Sequence, residues 1–349
     1  MKMRRTQVAV VGAGPLGLEL AVALKQAGID YTQIEQGPIG NTMLWWAPQT
    51  RWFSSPERIS IAGVPLITIA QEKATREEYL AYLRAIVTQF DLQIETYTRV
   101  LNIQKTRGRF VLTLQRTING TPLGEPEPLI AEKIVLTTGG TEHPNRLNVP
   151  GEDLPHVSHY LSEPHLYFGQ RVLVVGGRNS AVEAALRCHR VGAQVTFSYR
   201  GSHVDAKDIK YWLYPEFSSL VKSAQIIGCF NTVVKNIAPR HATLAHGDGS
   251  TFDVPADFVL LMTGYEADMS LLKMAGVNLV GEQQSPQFDE ATMQTNVPGV
   301  FVAGTAIAGT QRRYRIFLEN CHVHVPRIVA ALKGRRSKAR ARSYDRPES

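Results

Sequence analysis

The sequence predicts an α/β protein in which one strand–glycine turn–helix–strand unit is inserted into another. Three observations carry that reading. VAVVGAGPLGLEL, residues 8–20, passes from an apolar strand through Gly12, Gly14 and Gly17 into a helix. RVLVVGGRNSAVEAALRCHRVGAQVTFSYRG, residues 171–201, repeats the organisation. Apolar strands then run into glycine turns in AEKIVLTTGG (131–140), ADFVLLMTGYEAD (256–268) and TNVPGVFVAGTAIAG (295–309), where a ligand or a second backbone can approach closely.

In the first unit the G-x-G-x-x-G spacing gives each glycine a separate task. Gly12 makes the tight turn, Gly14 lets a pyrophosphate approach, and Gly17 lets the helix pack on the strand; the helix N-terminus favours the phosphate charge. Pro15 and Leu16 stand between the last two glycines. The next strand, YTQIE, ends in Glu35 with Gln36 after it. A carboxylate there bonds ribose hydroxyls and repels a 2′-phosphate.

The second unit differs in two places. Arg178 replaces the middle glycine between Gly176-Gly177 and Asn179-Ser180, and the second strand ends in Tyr199-Arg200 without an acid. Two arginines and no carboxylate suit a 2′-phosphate, so this unit reads as NADPH-binding. Ala181 takes the close-packing place. Two Rossmann-like dinucleotide units in one chain suggest a flavoenzyme, with FAD on the first. Thr138-Gly139 and Gly304-Thr305 complete its expected contacts, and the isoalloxazine is expected near residues 43–55.

The expected division is 1–160 for the first part of the FAD domain, 161–268 for the inserted NADPH domain, 269–332 for the remainder of the FAD domain, and 333–349 for a basic disordered tail. Residues 76–90 show apolar spacing of a helix. RVLNIQKT and GRFVLTLQR read as strands, and NGTPLGEPEP as a surface connection.

A chain of 349 residues can bury two cores. Of its formal charge of +7, the stretch KGRRSKARARSYDRPES supplies +5, from seven basic and two acidic residues. Such a run is solvated, and with no base-reading element beside it no nucleic-acid partner is expected. MKMRR before an apolar run imitates a signal peptide, but cleavage at Ala21-Val22-Ala23 would delete the glycine fingerprint. No apolar run reaches the roughly twenty residues of a membrane span. Cys188, Cys229 and Cys321 are far apart and form no C-x-x-C, which suits a reducing, cytoplasmic setting. No metal is expected, because Cys321, His322 and His324 lack a second ligand pair.

The order of these units resembles the two-dinucleotide-domain flavoprotein reductases such as thioredoxin reductase, from residue 7 to about residue 332. The resemblance implies ββα-meander-containing domains, an NADPH domain inserted into the FAD domain, and a homodimer. Four stretches are more specifically similar to the bacillithiol-disulfide reductases: RWFSSPERISIAGVPLIT, VVGGRNSAVEAAL, YRGSHVDAKDIKYWLYPEFSSLV and VFVAGTAIAG…IFLEN. Those enzymes also have a charged residue at the Arg178 place. They too lack the usual aspartate of the C-terminal FAD strand, where this chain has Gly304-Thr305.

Leu16 departs from that pattern. The family fingerprint carries a cysteine there, proposed as the disulfide-exchanging thiol, and exchange requires a thiolate that leucine cannot supply. Cys321, flanked by His322 and His324 that could lower its pKa, is the remaining redox candidate; the alternative is a packed helix residue. The resemblance implies an NADPH-dependent FAD oxidoreductase acting on a low-molecular-weight disulfide. A ferredoxin, flavodoxin or quinone reductase, with the tail steering an acidic carrier, is the alternative, and a redox-responsive flavoprotein without turnover is a third. A flavin monooxygenase fits less well, since VPGEDLPHVSHY lacks that family's signature spacing. Trp45, Trp46, Trp52 and Phe53 either shield the flavin face or pack as core.

Overall fold

The computed structural model describes residues 4–312, 315–342 and 348. Residues 343–347 and 349 of the basic tail lie outside the described residues. The chain divides into two compact units, one of Met1–Leu44, Gln49–His143 and Glu266–Ser349, the other of Trp45–Pro48 and Pro144–Tyr265.

Unit 1 is built on β1 (Arg4–Val11), which runs parallel to β2 (Tyr31–Ile34) on one side and to β6 (Thr121–Leu136) on the other. Val8, Ala9 and Val10 are fully buried, as a central parallel strand covered on both faces requires. α1 (Pro15–Gln26) joins β1 to β2 and buries Leu16, Leu18, Leu20, Val22 and Leu24. With β3 (Ile94–Glu95), β4 (Thr98–Thr106) and β5 (Arg109–Ile118), the sheet order is β3-β2-β1-β6-β5-β4. The strand Val300–Val302 adds to β6 in parallel, bringing the C-terminal glycine turn beside the first one. The helix expected at 76–90 spans Arg76–Gln89 and starts with a Thr75–Glu78 capping box, two leading N–H groups being satisfied reciprocally.

One expectation is corrected. NGTPLGEPEP is not a loose connection: only Asn119-Gly120, both at positive φ, turns the chain, and β6 then pairs with β5 from Thr121 onward. An Asn-Gly turn with left-handed dihedrals suits the twist of a two-residue hairpin. The prolines sit on the exposed stretch of the strand, where a missing N–H is tolerated.

Unit 2 has a parallel sheet ordered Ile226–Phe230, Gln194–Tyr199, Arg171–Val175, Phe258–Leu261 and Val157–Ser158. The helix Asn179–Arg190 covers it with Ala181, Val182, Ala185, Leu186 and Cys188 buried. A three-stranded antiparallel sheet, Thr232–Ala238, His241–His246 and Thr251–Pro255, completes the unit. Among the described residues no helix is long and apolar enough to cross a membrane.

Candidate functional site

The three glycines of the first turn have three different surroundings. Gly12 sits at φ +115°, and a Cβ on it would lie 2.6 Å from the Thr137 carbonyl oxygen. A Cβ on Gly17 would lie 2.2 Å from the Gly12 carbonyl oxygen, so α1 rests directly on the turn. A Cβ on Gly14 would meet nothing within 4 Å. That open position is also the start of α1, where no side chain caps the helix and Pro15 takes the first place. Uncapped leading N–H groups and the helix dipole together attract an anion.

Glu35 holds this loop in shape. Its Oε2 accepts the Ala13 N–H at 2.7 Å and its Oε1 the Gly37 N–H at 2.9 Å. Burial pushes its carboxyl upward against the pull of those backbone donors. Gln36 is exposed. A residue missed by the sequence reading is Thr137, one place before Thr138: its hydroxyl donates to the Val11 carbonyl at 3.0 Å and lies 3.2 Å from that of Gly12. Only the pairing of Val11 with Leu136 across β1 and β6 brings it there.

Leu16 is 7% exposed. Its Cβ would lie 3.6 Å from a Cβ placed on Gly304, which has φ +75°, so the two glycine turns of unit 1 meet at this leucine. The Gly304 N–H donates to His324 Nδ1 at 3.1 Å. Burial, with Arg327 and His322 nearby, lowers the His324 imidazole to about 4, so the ring is neutral and Nδ1 is free to accept. His322 does a different job: its two ring nitrogens meet Glu19 Oε2 at 2.8 Å and the Arg58 carbonyl at 2.9 Å. Burial works against the charged ring, but the Glu19 hydrogen bond and charge outweigh it and raise His322.

Cys321 is corrected in one respect. The flanking histidines turn to Gly304 and Glu19, and they do not lower the thiol; burial, then the Glu19 charge, pushes it well up. Its residue is 0% exposed, whereas exchange calls for an accessible thiolate. Cys188 is likewise buried, its thiol raised to about 12 by burial. Trp52 packs on Tyr79 at 4.4 Å, while Trp45, in unit 2, lies 5.7 Å from Tyr160.

In unit 2, Gly176 has φ +148° and a Cβ there would stand 2.4 Å from the Met262 carbonyl oxygen. The would-be Cβ of Gly177 falls 2.1 Å from the Tyr199 ring, which therefore lies over the turn. The helix Asn179–Arg190 begins with extended Arg178 at its N-cap and no capping side chain. Arg178, Ser180 and Arg200 are exposed at this mouth. Asn179 is committed elsewhere: its Oδ1 accepts the Lys210 N–H at 2.8 Å. In VPGEDLPHVSHY, buried Glu152 ties a turn by accepting the Leu147 and Asn148 N–H groups at 2.9 and 2.6 Å.

The pyridine nucleotide-disulphide oxidoreductase family matches residues 9–304. Bacilliredoxin reductase Bdr of Bacillus subtilis (strain 168) is 36% identical over 95% of this chain and 99% of that protein. The chain belongs to the bacillithiol-disulfide reductase family. The solved structure of Bacillithiol Disulfide Reductase Bdr from Bacillus cereus superposes with a TM-score of 0.88 at 36% identity, covering 95% of this chain and 99% of that one. The two-Rossmann-domain architecture is thus shared with a family member. A ferredoxin–NADP reductase of Ignicoccus hospitalis is 28% identical over 87% of this chain and 90% of its own length.

Proposed function

We propose that this family member is an FAD-containing, NADPH-dependent oxidoreductase that passes electrons to a low-molecular-weight disulfide. FAD lies along Gly12, Gly14, Pro15, Leu16, Gly17, Glu35 and Gln36, with Thr138, Gly139, Gly304 and Thr305 at its other side. NADPH takes Gly176, Gly177, Ser180 and the backbone N–H of Asn179, whose side chain holds Lys210, with Arg178 and Arg200 toward its 2′-phosphate. The observation that carries this assignment is the pair of twelve-residue helices that each start, without a capping side chain, behind a glycine turn. Gly14, open in the direction a Cβ would take, offers room for a pyrophosphate.

When bound, FAD supplies the two-electron acceptor for hydride from NADPH. The chain's own residues bind, orient and exclude water. Glu35 fixes the loop carrying Gly14, and neutral His324 fixes Gly304. Leu16 presents an apolar surface with no proton to move, so the thiol relay of the family is closed at residue 16, and buried Cys321 does not reopen it. The disulfide must then reach the flavin itself. That same feature favours a small redox carrier protein as the second reading, since electron transfer to a carrier needs no thiol, and the ferredoxin–NADP reductase relative supports it. The homodimer and the cytoplasmic setting implied by the resemblance belong to this proposal, to be tested by sedimentation and fractionation.

The decisive experiment is anaerobic. The flavin is reduced with NADPH, and bacillithiol disulfide, ferredoxin and flavodoxin are then added separately. Reoxidation by the disulfide supports the first reading, and reoxidation by a carrier alone supports the second. A colourless protein that takes up no FAD refutes both.

A further inference from the structure

Beside the segment expected at the flavin, unit 1 seats a carboxylate from the far end of its own chain. The Arg51–Thr75 bridge and the Trp52 N–H, which donates to the Ala74 carbonyl at 2.9 Å, bring residues 51–55 and 73–75 together. Where they meet, Glu348 Oε2 accepts the Ser55 N–H at 2.6 Å. The same oxygen lies 3.7 Å from Lys73 Nζ, and Oε1 lies 3.8 Å from an Arg58 guanidinium nitrogen. Lys73 also donates to the Phe53 carbonyl, which fixes its ammonium against this segment. The Ser55 hydroxyl turns aside to exposed Glu57 at 2.7 Å.

The charges at this place call for an anion. The Arg58 side chain is 15% exposed, and its other guanidinium nitrogen lies 3.6 Å from the buried carboxylate of Glu319. Glu319 answers one of the two cations, and Glu348 answers the second. A largely buried cation without a counter-charge is costly, so the site favours an anion whatever its source. Burial works against a charged Glu348, but the Ser55 N–H, Lys73 and Arg58 outweigh it and hold the carboxyl below its ordinary value. Burial lowers the Lys73 ammonium, and Glu348 restores part of the fall.

We propose that the Ser55 N–H, Arg58 and Lys73 form a carboxylate-binding site, that Glu348 is its tethered occupant, and that a carboxylate-bearing disulfide displaces Glu348 to bind there. This rests on reading unit 1 as the flavin site and a disulfide as the acceptor. Tethered groups compete at effective concentrations of about millimolar, so Glu348 sets a threshold for acidic ligands and none for neutral ones. One ion pair is exchanged for another, with no covalent bond made or broken.

The test titrates dithiodipropionate, a dicarboxylate disulfide, and neutral hydroxyethyl disulfide into the FAD-loaded protein by calorimetry at low salt. The full-length parent is compared with Glu348→Gln and with Glu348→Gln/Lys73→Gln. Glutamine keeps an acceptor for the Ser55 N–H and removes the charge. Glu348→Gln should bind dithiodipropionate about tenfold more tightly than the parent, the difference between a charge-assisted and a neutral hydrogen bond. Adding Lys73→Gln should remove that gain, and the neutral disulfide should bind parent and variants alike. Parent-like or undetectable dithiodipropionate binding in Glu348→Gln overturns the proposal. So does a gain shared by the neutral disulfide, or one that survives Lys73→Gln. Flavin reoxidation is scored separately: if no disulfide reoxidises the flavin, the acceptor reading fails, while the affinity comparison still decides the site.

Discussion

Replacing Leu16 by cysteine puts a thiol at the second position of α1, against Gly304. The cost follows from the burial of the leucine, which is 7% exposed. Two methyl groups are lost net, each worth about 0.8 kcal/mol, and a partly collapsed cavity brings the total to about 2 kcal/mol. For a unit of this size that is a fall in Tm of about 4–8 °C. The gain is chemical: beside an uncapped helix N-terminus a thiol ionises more readily than the ordinary value near 8.5. Iodoacetamide alkylation should find one new fast-reacting thiol. NADPH consumption with bacillithiol disulfide should rise at least about tenfold, the low end of what an added nucleophile contributes. Flavin reduction by NADPH alone should not change. The reasoning is refuted if the introduced thiol reacts no faster than buried Cys321, or if disulfide turnover stays at the parent level while the thiol is reactive.

Three further outcomes are expected. Gly14→Ala should fold like the parent, having nothing within 4 Å of its Cβ, yet bind FAD more weakly; Gly17→Ala, at 2.2 Å from the Gly12 carbonyl oxygen, should lose about 3 kcal/mol or more of stability, as denaturant melts with and without FAD will show. Arg200→Ala and Arg178→Ala should each raise the KM for NADPH about tenfold, one charge-assisted phosphate contact, and leave that for NADH unmoved; equal effects on both cofactors would sink the 2′-phosphate assignment. His324, lowered to about 4 by burial ahead of Arg327 and His322, binds its proton in the unfolded chain from about pH 6.5 but in the fold only near 4. Stability therefore falls as pH drops through that window, by up to about 3 kcal/mol, and His324→Asn, which keeps an acceptor for the Gly304 N–H, should flatten the fall. Glu142, held near 7, contributes the opposite slope between about 4.5 and 7, so the comparison is between variant and parent at each pH.

How much of the site is legible in the chain depends on how local each cause is. The glycine spacing is local. Gly17 lacks a Cβ because of the Gly12 carbonyl five residues back, and although the Gly12 turn is pressed against Thr137 of a distant segment, the spacing alone announces both. Glu35 is legible for the same reason, although its oxygens turn out to hold Ala13 and Gly37 in place. The hairpin at Asn119-Gly120 was also written locally, and the prolines around it obscured it. Thr137 and His324 are different. Thr137 reaches the fingerprint through strand pairing, and His324 through the C-terminal helix docking beside the Gly304 turn. Neither carries a periodicity or spacing signal.

Cysteine chemistry shows the same division. The sequence by itself determined that residue 16 has no thiol and that three cysteines form no pair, because these are facts of composition. Whether Cys321 could replace that thiol was a question about solvent and neighbouring charge. In the tertiary structure the cysteine is buried, His322 meets Glu19 and the Gly304 N–H meets His324, an environment that raises the thiol. Residue identity sets which groups can ionise or exchange electrons, whereas burial and partners assembled from distant segments set whether they do.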